Sequence, residues 1–151
     1  MSQTETTTPK QTLDQQRACH ALARIEKLSL DDQDNYASEA KRLPVRIMSS
    51  GLGQAMAFIN AKTKRTGLKQ LHTDLTEWVI KIRATNVFGE DRVNEFNTRP
   101  GARQVDHSLL HSIIHGDSEF LRWATTETLA YLVWLNRFAE AKGLPGKHEG
   151  D

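Results

Sequence analysis

Apolar residues along most of this 151-residue chain recur at steps of three and four positions, the spacing that places side chains on one face of an α-helix. A strand competes with this pattern only in WVIKIR, residues 78–83, and the apolar residues before that segment keep helical spacing over about four turns. We therefore predict an all-α fold, a single-domain bundle of about six helices. The expected helices cover about residues 12–28, 31–43, 44–59, 67–86, 105–115 and 117–142.

Pro44 and two glycines determine where the second predicted helix ends and how the third begins. Proline lacks an N–H donor and restricts the residue before it, so we expect the second helix to end near Leu43 and Pro44 to open the third. Gly51 and Gly53 fall inside that third helix, where each glycine costs about 1 kcal/mol relative to alanine. A bend, or close approach of another backbone or a ligand, would explain them, and we favour close approach.

The ends of the chain and one internal segment lack helical periodicity. We expect flexible tails at residues 1–11 and 144–151, which flank a helical domain at residues 12–143. Residues 87–104 contain glycine, proline and asparagine with little periodicity, so a long loop is expected there. No apolar run is long enough for a membrane span, and a single cysteine excludes an intramolecular disulfide. We expect a cytoplasmic protein with no membrane partner.

Charge is unevenly distributed along the chain, although 20 Lys+Arg and 19 Asp+Glu nearly cancel. Residues 1–40 hold 4 basic and 7 acidic residues, residues 41–103 hold 12 and 5, and residues 104–151 hold 4 and 7. The basic middle indicates a face that binds a polyanion, and the acidic ends would meet basic neighbours in an assembly. A solvated face with no partner is the alternative that charge alone leaves open.

Seven basic residues of the middle segment cluster near two predicted helix junctions. Contacts with phosphates need flexible cations at intervals along a surface, and these residues meet that demand without a fixed catalytic geometry. No signature of an RNA-recognition, KH or helix-turn-helix domain is present, so base readout is not implied. The candidate nucleic-acid contacts are Lys41, Arg42, Arg46, Lys62, Lys64, Arg65 and Lys69.

Catalytic chemistry has one candidate, a histidine stripe at His107, His111 and His115. Histidines four residues apart on a helix can share a metal ion, but no glutamate completes a zinc-protease motif, and a polar helix face is the favoured interpretation. The segment SSGLGQ lacks the spacings of phosphate-binding loops. We therefore expect no enzyme activity, no metal and no cofactor, and keep a metal-dependent enzyme on this helix as the weaker alternative.

The stretch from Tyr36 to Lys62 contains an Ala-Lys pair at 40–41, a Leu-Pro junction at 43–44 and a Gly-Leu pair at 51–52, and a second long helical stretch runs from Leu121 to Gly143. Both stretches resemble the small α-helical subunit of the type III-B CRISPR-Cas RNA-guided effector (Cmr) complex, and the resemblance extends over about residues 12–143. Asn136 stands where the family pattern leads us to expect a lysine, and the 87–104 segment lies outside the pattern. The residues that carry the resemblance are Tyr36, Ala40, Lys41, Leu43, Pro44, Gly51, Leu52, Ala55, Phe58, Lys62, Arg122, Glu127, Leu132, Trp134, Leu135, Arg137 and Ala139.

This resemblance implies a non-catalytic subunit in antiviral defence. Similar proteins stack in several copies beside the backbone repeat subunits that hold the guide RNA, and their basic faces line the path of guide and target RNA. Cleavage of RNA belongs to the backbone subunits, and the large subunit synthesises signalling nucleotides and cleaves DNA. The implied partners are those two kinds of subunit, further copies of this chain, and guide and target RNA. A helical adaptor that binds only protein remains the main alternative. Four aromatic residues are expected in the core rather than on base-stacking platforms: Tyr36, Trp78, Trp123 and Trp134.

Overall fold

The structure is a computed structural model that describes residues 10–62, 64–97 and 108–145. This part of the chain is helical and contains no strand, which confirms the predicted all-α, single-domain bundle. Within the same residues, no helix is both long and apolar enough to cross a membrane. The elements are α1 (Leu13–Glu26), α2 (Leu30–Ser50), α3 (Leu52–Asn60), α4 (Thr66–Thr76), a π-helical segment (Glu77–Ala84), α5 (Thr85–Phe88), α6 (Glu90–Asn97), α7 (Leu109–His115) and α8 (Ser118–Ala141).

The first and last helices begin where the sequence predicts. The Thr12 side chain accepts a hydrogen bond from the Gln15 amide at 3.1 Å, and the Gln15 side chain accepts one from the Thr12 amide at 2.7 Å. This reciprocal pair satisfies two N–H groups that a helix start leaves without partners. Asp117 caps the start of α8, because its carboxylate accepts a hydrogen bond from the Phe120 amide at 2.9 Å. Both caps use local sequence signals.

Helix α2 does not end near Leu43, and Pro44 does not open a new helix, so both of these predictions are wrong. The helix runs from Leu30 to Ser50 with Pro44 inside it. Pro44 removes the N–H that would bond the Ala40 carbonyl. The Asn136 side chain on α8 donates to that carbonyl instead, at 2.9 Å. A residue distant in sequence thus replaces the missing donor, and α2 continues as one helix packed against α3, α4 and α8.

The break between helices comes at Gly51. Its φ is +89°, in the left-handed region that favours glycine. Its amide still donates to the Ile47 carbonyl at 2.8 Å, and its carbonyl accepts from the Ala55 amide at 3.1 Å. A Cβ at Gly51 would meet nothing within 4 Å, so within the described chain this glycine provides a bend rather than close approach. Approach by a partner stays a prediction.

The predicted fourth helix and the loop after it differ from the observed structure in detail. The fourth helix contains the π-helical segment, and the predicted 87–104 loop is wrong over much of its length, because α6 occupies Glu90–Asn97. Helix α6 buries Val93 and Phe96, two apolar residues too few to produce a clear helical pattern in the sequence. Residues 98–107, including Arg99, Arg103 and His107, lie outside the described residues.

The core lies among α2, α3, α4, the π-helical segment and α8. Tyr36 and Trp78 are buried in it, and Trp123 and Trp134 pack against it, as predicted. Met48 and Leu121, by contrast, are large apolar residues that lie exposed on their helices. The largest fully buried side chains include Tyr36, Leu43, Leu52, Met56, Leu71, Leu75, Phe96, Phe120 and Tyr131.

Helix α1 is held chiefly by charged and polar contacts, because it buries only Ala21 and Ile25. Arg17 contacts Glu127 on α8 through two hydrogen bonds, of 2.6 and 2.9 Å, and this pairing raises the pKa of the arginine. The indole N–H of Trp78 donates to the same carboxylate at 2.9 Å. The nearly buried charge of Glu127 therefore has three donors around it, as buried ions require.

Two acidic residues, Asp74 and Glu77, contact the other end of α1. Arg24 Nε lies 3.0 Å from Asp74 Oδ1, and an Arg24 terminal nitrogen lies 2.9 Å from Glu77. Burial raises the pKa of Asp74, although hydrogen bonds from Tyr36 and Gln70 oppose the shift. Burial acts in the same direction on Glu77, but a hydrogen bond from His20 and the Arg24 charge outweigh it and lower the pKa of Glu77.

A double-mutant cycle tests the bond that lets α2 pass Pro44. We expect Asn136→Ala to lower the free energy of unfolding by about 1–3 kcal/mol, because the Ala40 carbonyl loses its donor. In a Pro44→Ala background the new backbone N–H can donate to that carbonyl, so the same change should cost at least about 1 kcal/mol less. Urea unfolding of the four proteins measures the coupling. Strictly additive effects would contradict this account of the helix.

The two glycines near the α2–α3 junction should respond to alanine in opposite directions. Gly51→Ala forces a Cβ residue to a φ of +89° and should cost about 1–3 kcal/mol. Gly53→Ala lies inside α3, where its Cβ would meet Ile113 Cγ2 at an ordinary 3.6 Å, and should gain up to about 1 kcal/mol. Thermal and urea unfolding of both variants measure the signs. Equal destabilisation by the two changes would refute the assignment of the bend to Gly51.

Candidate nucleic-acid interface

The seven basic residues predicted to contact RNA lie on three consecutive elements. The first three are on α2, the next three are in the turn between α3 and α4, and Lys69 is in the first turns of α4. Five of the side chains are exposed, and Arg46 and Lys62 are half-buried. Residues 41–73 contain these seven cations and no aspartate or glutamate. We call this set the basic face: Lys41, Arg42, Arg46, Lys62, Lys64, Arg65 and Lys69.

Phe58 on α3 lies between the cations of α2 and those of the α3–α4 turn, and contacts one cation of each group. The guanidinium carbon of Arg46 lies 3.9 Å from the centroid of the Phe58 ring, and the ammonium of Lys62 lies 4.8 Å from it. An aromatic ring attracts cations through the negative potential of its faces. The bend at Gly51 folds α3 back so that Phe58 reaches α2. Two clusters that the sequence separates by sixteen positions therefore meet at one ring.

Arg46 has a structural partner that the sequence analysis missed. Its Nε donates to Glu39 at 2.8 Å, and that carboxylate is only 4% exposed. The two residues are seven positions apart on α2, two turns along the same side of the helix. A buried carboxylate needs such a partner, so Arg46 both stabilises Glu39 and contributes to the basic face. The i, i+7 spacing on an unbroken helix could have revealed the pair, but the predicted break at Pro44 concealed it.

The basic face has a defined acidic boundary at the start of α4. The Thr66 hydroxyl donates to Asp32 in the first turn of α2. Gly67 allows this approach, because a Cβ there would lie 2.7 Å from the Asp32 carbonyl. The acidic first turn of α2, with Asp31 and Asp32, thus lies beside the turn that carries Arg65. Asp31 and Asp32 therefore mark the edge of the basic face on the side of the first turn of α2.

The histidine stripe does not assemble a metal site in the described residues. The rings of His111 and His115 stack with centroids 4.2 Å apart, and His115 Nδ1 lies 3.1 Å from the His111 carbonyl. Stacked rings direct their in-plane lone pairs along separate lines, whereas a shared metal needs them to converge. His107 is outside the described residues, and within them no group of three histidine, cysteine or acidic residues could hold a metal ion.

Comparison with known families identifies the chain. Residues 13–142 match the family described as CRISPR-associated protein (Cas_Cmr5). The chain belongs to this family. The match spans from α1 to the residue after α8 and confirms the resemblance to the small subunit of the Cmr, type III-B, complex. Membership in the family implies that this Cmr small subunit assembles with other Cmr subunits.

A double-mutant cycle tests whether Phe58 and Lys62 interact in this Cmr small subunit. We expect Phe58→Leu and Lys62→Met to show a coupling free energy of about 0.5–1 kcal/mol in urea unfolding, because each change removes one half of the cation–π contact. Lys64→Met is the matched control, since Lys64 is an exposed lysine of the same turn, and its effect should add to that of Phe58→Leu. A coupling indistinguishable from the control would mean that the ring does not hold the Lys62 ammonium in solution.

Proposed function

We propose that this chain is a non-catalytic small subunit of the type III-B effector complex that binds guide and target RNA through its basic face. The observation that carries the proposal is the segment 41–73, which folds through α2, α3 and α4 and contains seven cations and no carboxylate. Glu39 and Asp74 border this segment, and both are buried against arginines. The outer surface of the segment is therefore rich in positive charge, as contact with an RNA backbone requires.

The proposed contacts are with phosphates rather than with base edges. Long cationic side chains on a helix and a turn can follow a backbone and release its counterions, which makes binding tolerant of sequence and sensitive to salt. A subunit that serves many different guides needs this tolerance. Because Arg46 is shared with Glu39 and Phe58, we assign the stronger phosphate contacts to exposed cations such as Lys64, Arg65 and Lys69.

Assembly follows from the same charge distribution. We assign the acidic ends of the chain to contacts with basic neighbours, including further copies of this subunit that stack beside the backbone repeat subunits and the large subunit. The catalytic steps of antiviral defence would belong to those neighbours in the cytoplasm. The stacked geometry of His111 and His115 supports a role without catalysis for this chain.

A protein-binding adaptor is the second candidate, and one surface favours it. Val45 and Met48 are 70% and 79% exposed on α2, on the same outward side as Lys41. Exposed apolar side chains of this kind suit a contact with another protein. If this surface were the whole function, the isolated chain would bind RNA no better than background.

A salt titration with charge-matched variants separates the two candidates. The variant K64E/R65E/K69E reverses three cations of the basic face, and K10E/R122E/R137E reverses three exposed cations elsewhere, with the same change in net charge. We expect the first variant to reduce the slope of log K against log salt by about 2 for single-stranded RNA. The second variant should leave most of that slope intact. Circular dichroism confirms that each variant is helical.

The other outcomes are equally informative. An equal reduction of the salt slope in the two variants would show that the net charge of the protein, and not the basic face, controls RNA binding. No binding of either single-stranded or duplex RNA by the unmodified chain at low salt would favour the adaptor, and the assembled complex would then be the next object to test.

A further inference from the structure

An open cleft of about 400 Å³ lies beside the basic face, where α3, α4 and α7 meet. Lys69 is among the residues that line it, and the lining includes both polar and apolar side chains. Six of the residues that line the cleft could contact a ligand: Asn60, Lys69, Thr73, Leu110, His111 and Ile114.

The cleft is a continuation of the basic face along α4. Lys69 and Thr73 are four residues apart on α4, so their side chains lie on one side of the helix, and Arg65 is the N-cap residue one turn before Lys69. Arg65 and Lys69 are exposed cations, and Thr73 is an exposed hydroxyl that already belongs to the cleft. An RNA backbone that contacts the first two residues is therefore led directly to the cleft mouth.

The far wall of the cleft is held in place by hydrogen bonds. The Leu109 amide at the start of α7 donates to the Thr76 hydroxyl at 2.9 Å, at the end of α4. The amide of His111 is satisfied by the Ser108 side chain at 3.1 Å. The first bond joins the start of α7 to the end of α4, and the second caps the first turn of α7.

The chemistry of the cleft suits one nucleotide. The ammonium of Lys69 is placed for a phosphate, while Asn60, Thr73 and His111 carry groups that can hydrogen-bond to the edge of a base. Leu110 and Ile114 form an apolar wall, and Ile114 is 64% exposed although it is a large aliphatic residue. A base can lie against such a wall only when it has left its stack, which is how proteins recognise single-stranded RNA.

We propose that this cleft receives one unstacked nucleotide of single-stranded RNA, with its phosphate at Lys69 and its base against Leu110 and Ile114. The inference rests on the proposed RNA binding by the basic face, and it adds a preference that phosphate contacts alone do not give. Duplex RNA keeps its bases stacked and paired, so it contacts the basic face without filling the cleft.

The test compares Ile114→Glu with Val133→Glu. Both positions are exposed aliphatic residues, and both changes add one negative charge, but Val133 is 54% exposed on α8 and does not line the cleft. Fluorescence anisotropy is measured with a labelled oligouridylate and with a duplex RNA of equal length. We expect Ile114→Glu to weaken binding of the single strand about tenfold and of the duplex less than twofold. Val133→Glu should change neither by more than about twofold.

A photocrosslink provides a measurement that does not depend on a variant. A single strand that contains 4-thiouridine should crosslink to the tryptic peptide of residues 104–122, which includes α7. Unchanged single-strand binding by Ile114→Glu, equal losses for single strand and duplex, or crosslinks that avoid this peptide would each overturn the cleft proposal while leaving the basic face in place.

The experiments distinguish a protein that binds no RNA from one that binds RNA without using the cleft. If neither the unmodified chain nor the assembled complex that contains it binds either RNA, the proposed function fails and the cleft proposal with it. If Ile114→Glu instead abolishes copurification with the other Cmr subunits without changing single-strand affinity, the cleft is a protein contact and the nucleotide proposal is wrong.

Discussion

The hydrogen bond from Asn136 to the Ala40 carbonyl is the contact on which the rest of the arrangement depends. It lets α2 continue past Pro44, and α2 is the helix against which α3, α4 and α8 pack. An uninterrupted α2 places Glu39 and Arg46 two turns apart on one side of the same helix, within reach of each other. A helix that ended at Leu43 would separate this pair and leave a buried carboxylate with no cation. The geometry of the basic face therefore begins with the satisfaction of a single backbone oxygen.

Buried carboxylates help to position α1 in this bundle, a role that apolar side chains have in most helical bundles. Asp74 and Glu127 are almost completely inaccessible, and each contacts an arginine of α1. Because α1 buries few apolar residues, these pairs and their neighbours Tyr36 and Trp78 determine where the helix lies. Ion pairs of this kind add less net stability than hydrophobic packing of equal size, but removal of one partner is costly. They favour one position of α1 over alternatives that would leave a charge unsatisfied.

Sequence reasoning recovered the features that depend on local periodicity and capping. The all-α class, the start of α1 near residue 12, the start of α8 near residue 117 and the burial of Tyr36 follow from spacing and residue type alone. It failed where a distant residue decides the local structure: nothing near Pro44 indicates that Asn136 supplies a hydrogen-bond donor. It also missed α6, whose two buried residues give almost no periodic signal. The prediction was wrong at Pro44 because the Ala40 carbonyl that this proline leaves without a donor is hydrogen-bonded by a residue of another helix.

The candidate site shows the same division between local and distant information. The seven cations can be read from composition, since residues 41–73 contain no carboxylate. The composition does not reveal that these cations form one surface. Their arrangement depends on the bend at Gly51, which brings Phe58 back to Arg46. The cleft beside them depends on the Thr76 hydroxyl that fixes α7. The attraction between a cationic surface and a polyanion acts over several ångströms and weakens as salt is added, whereas a cleft distinguishes between ligands only at contact distance. A surface that combines the two can bind RNA of any sequence and still distinguish an exposed nucleotide from a paired one.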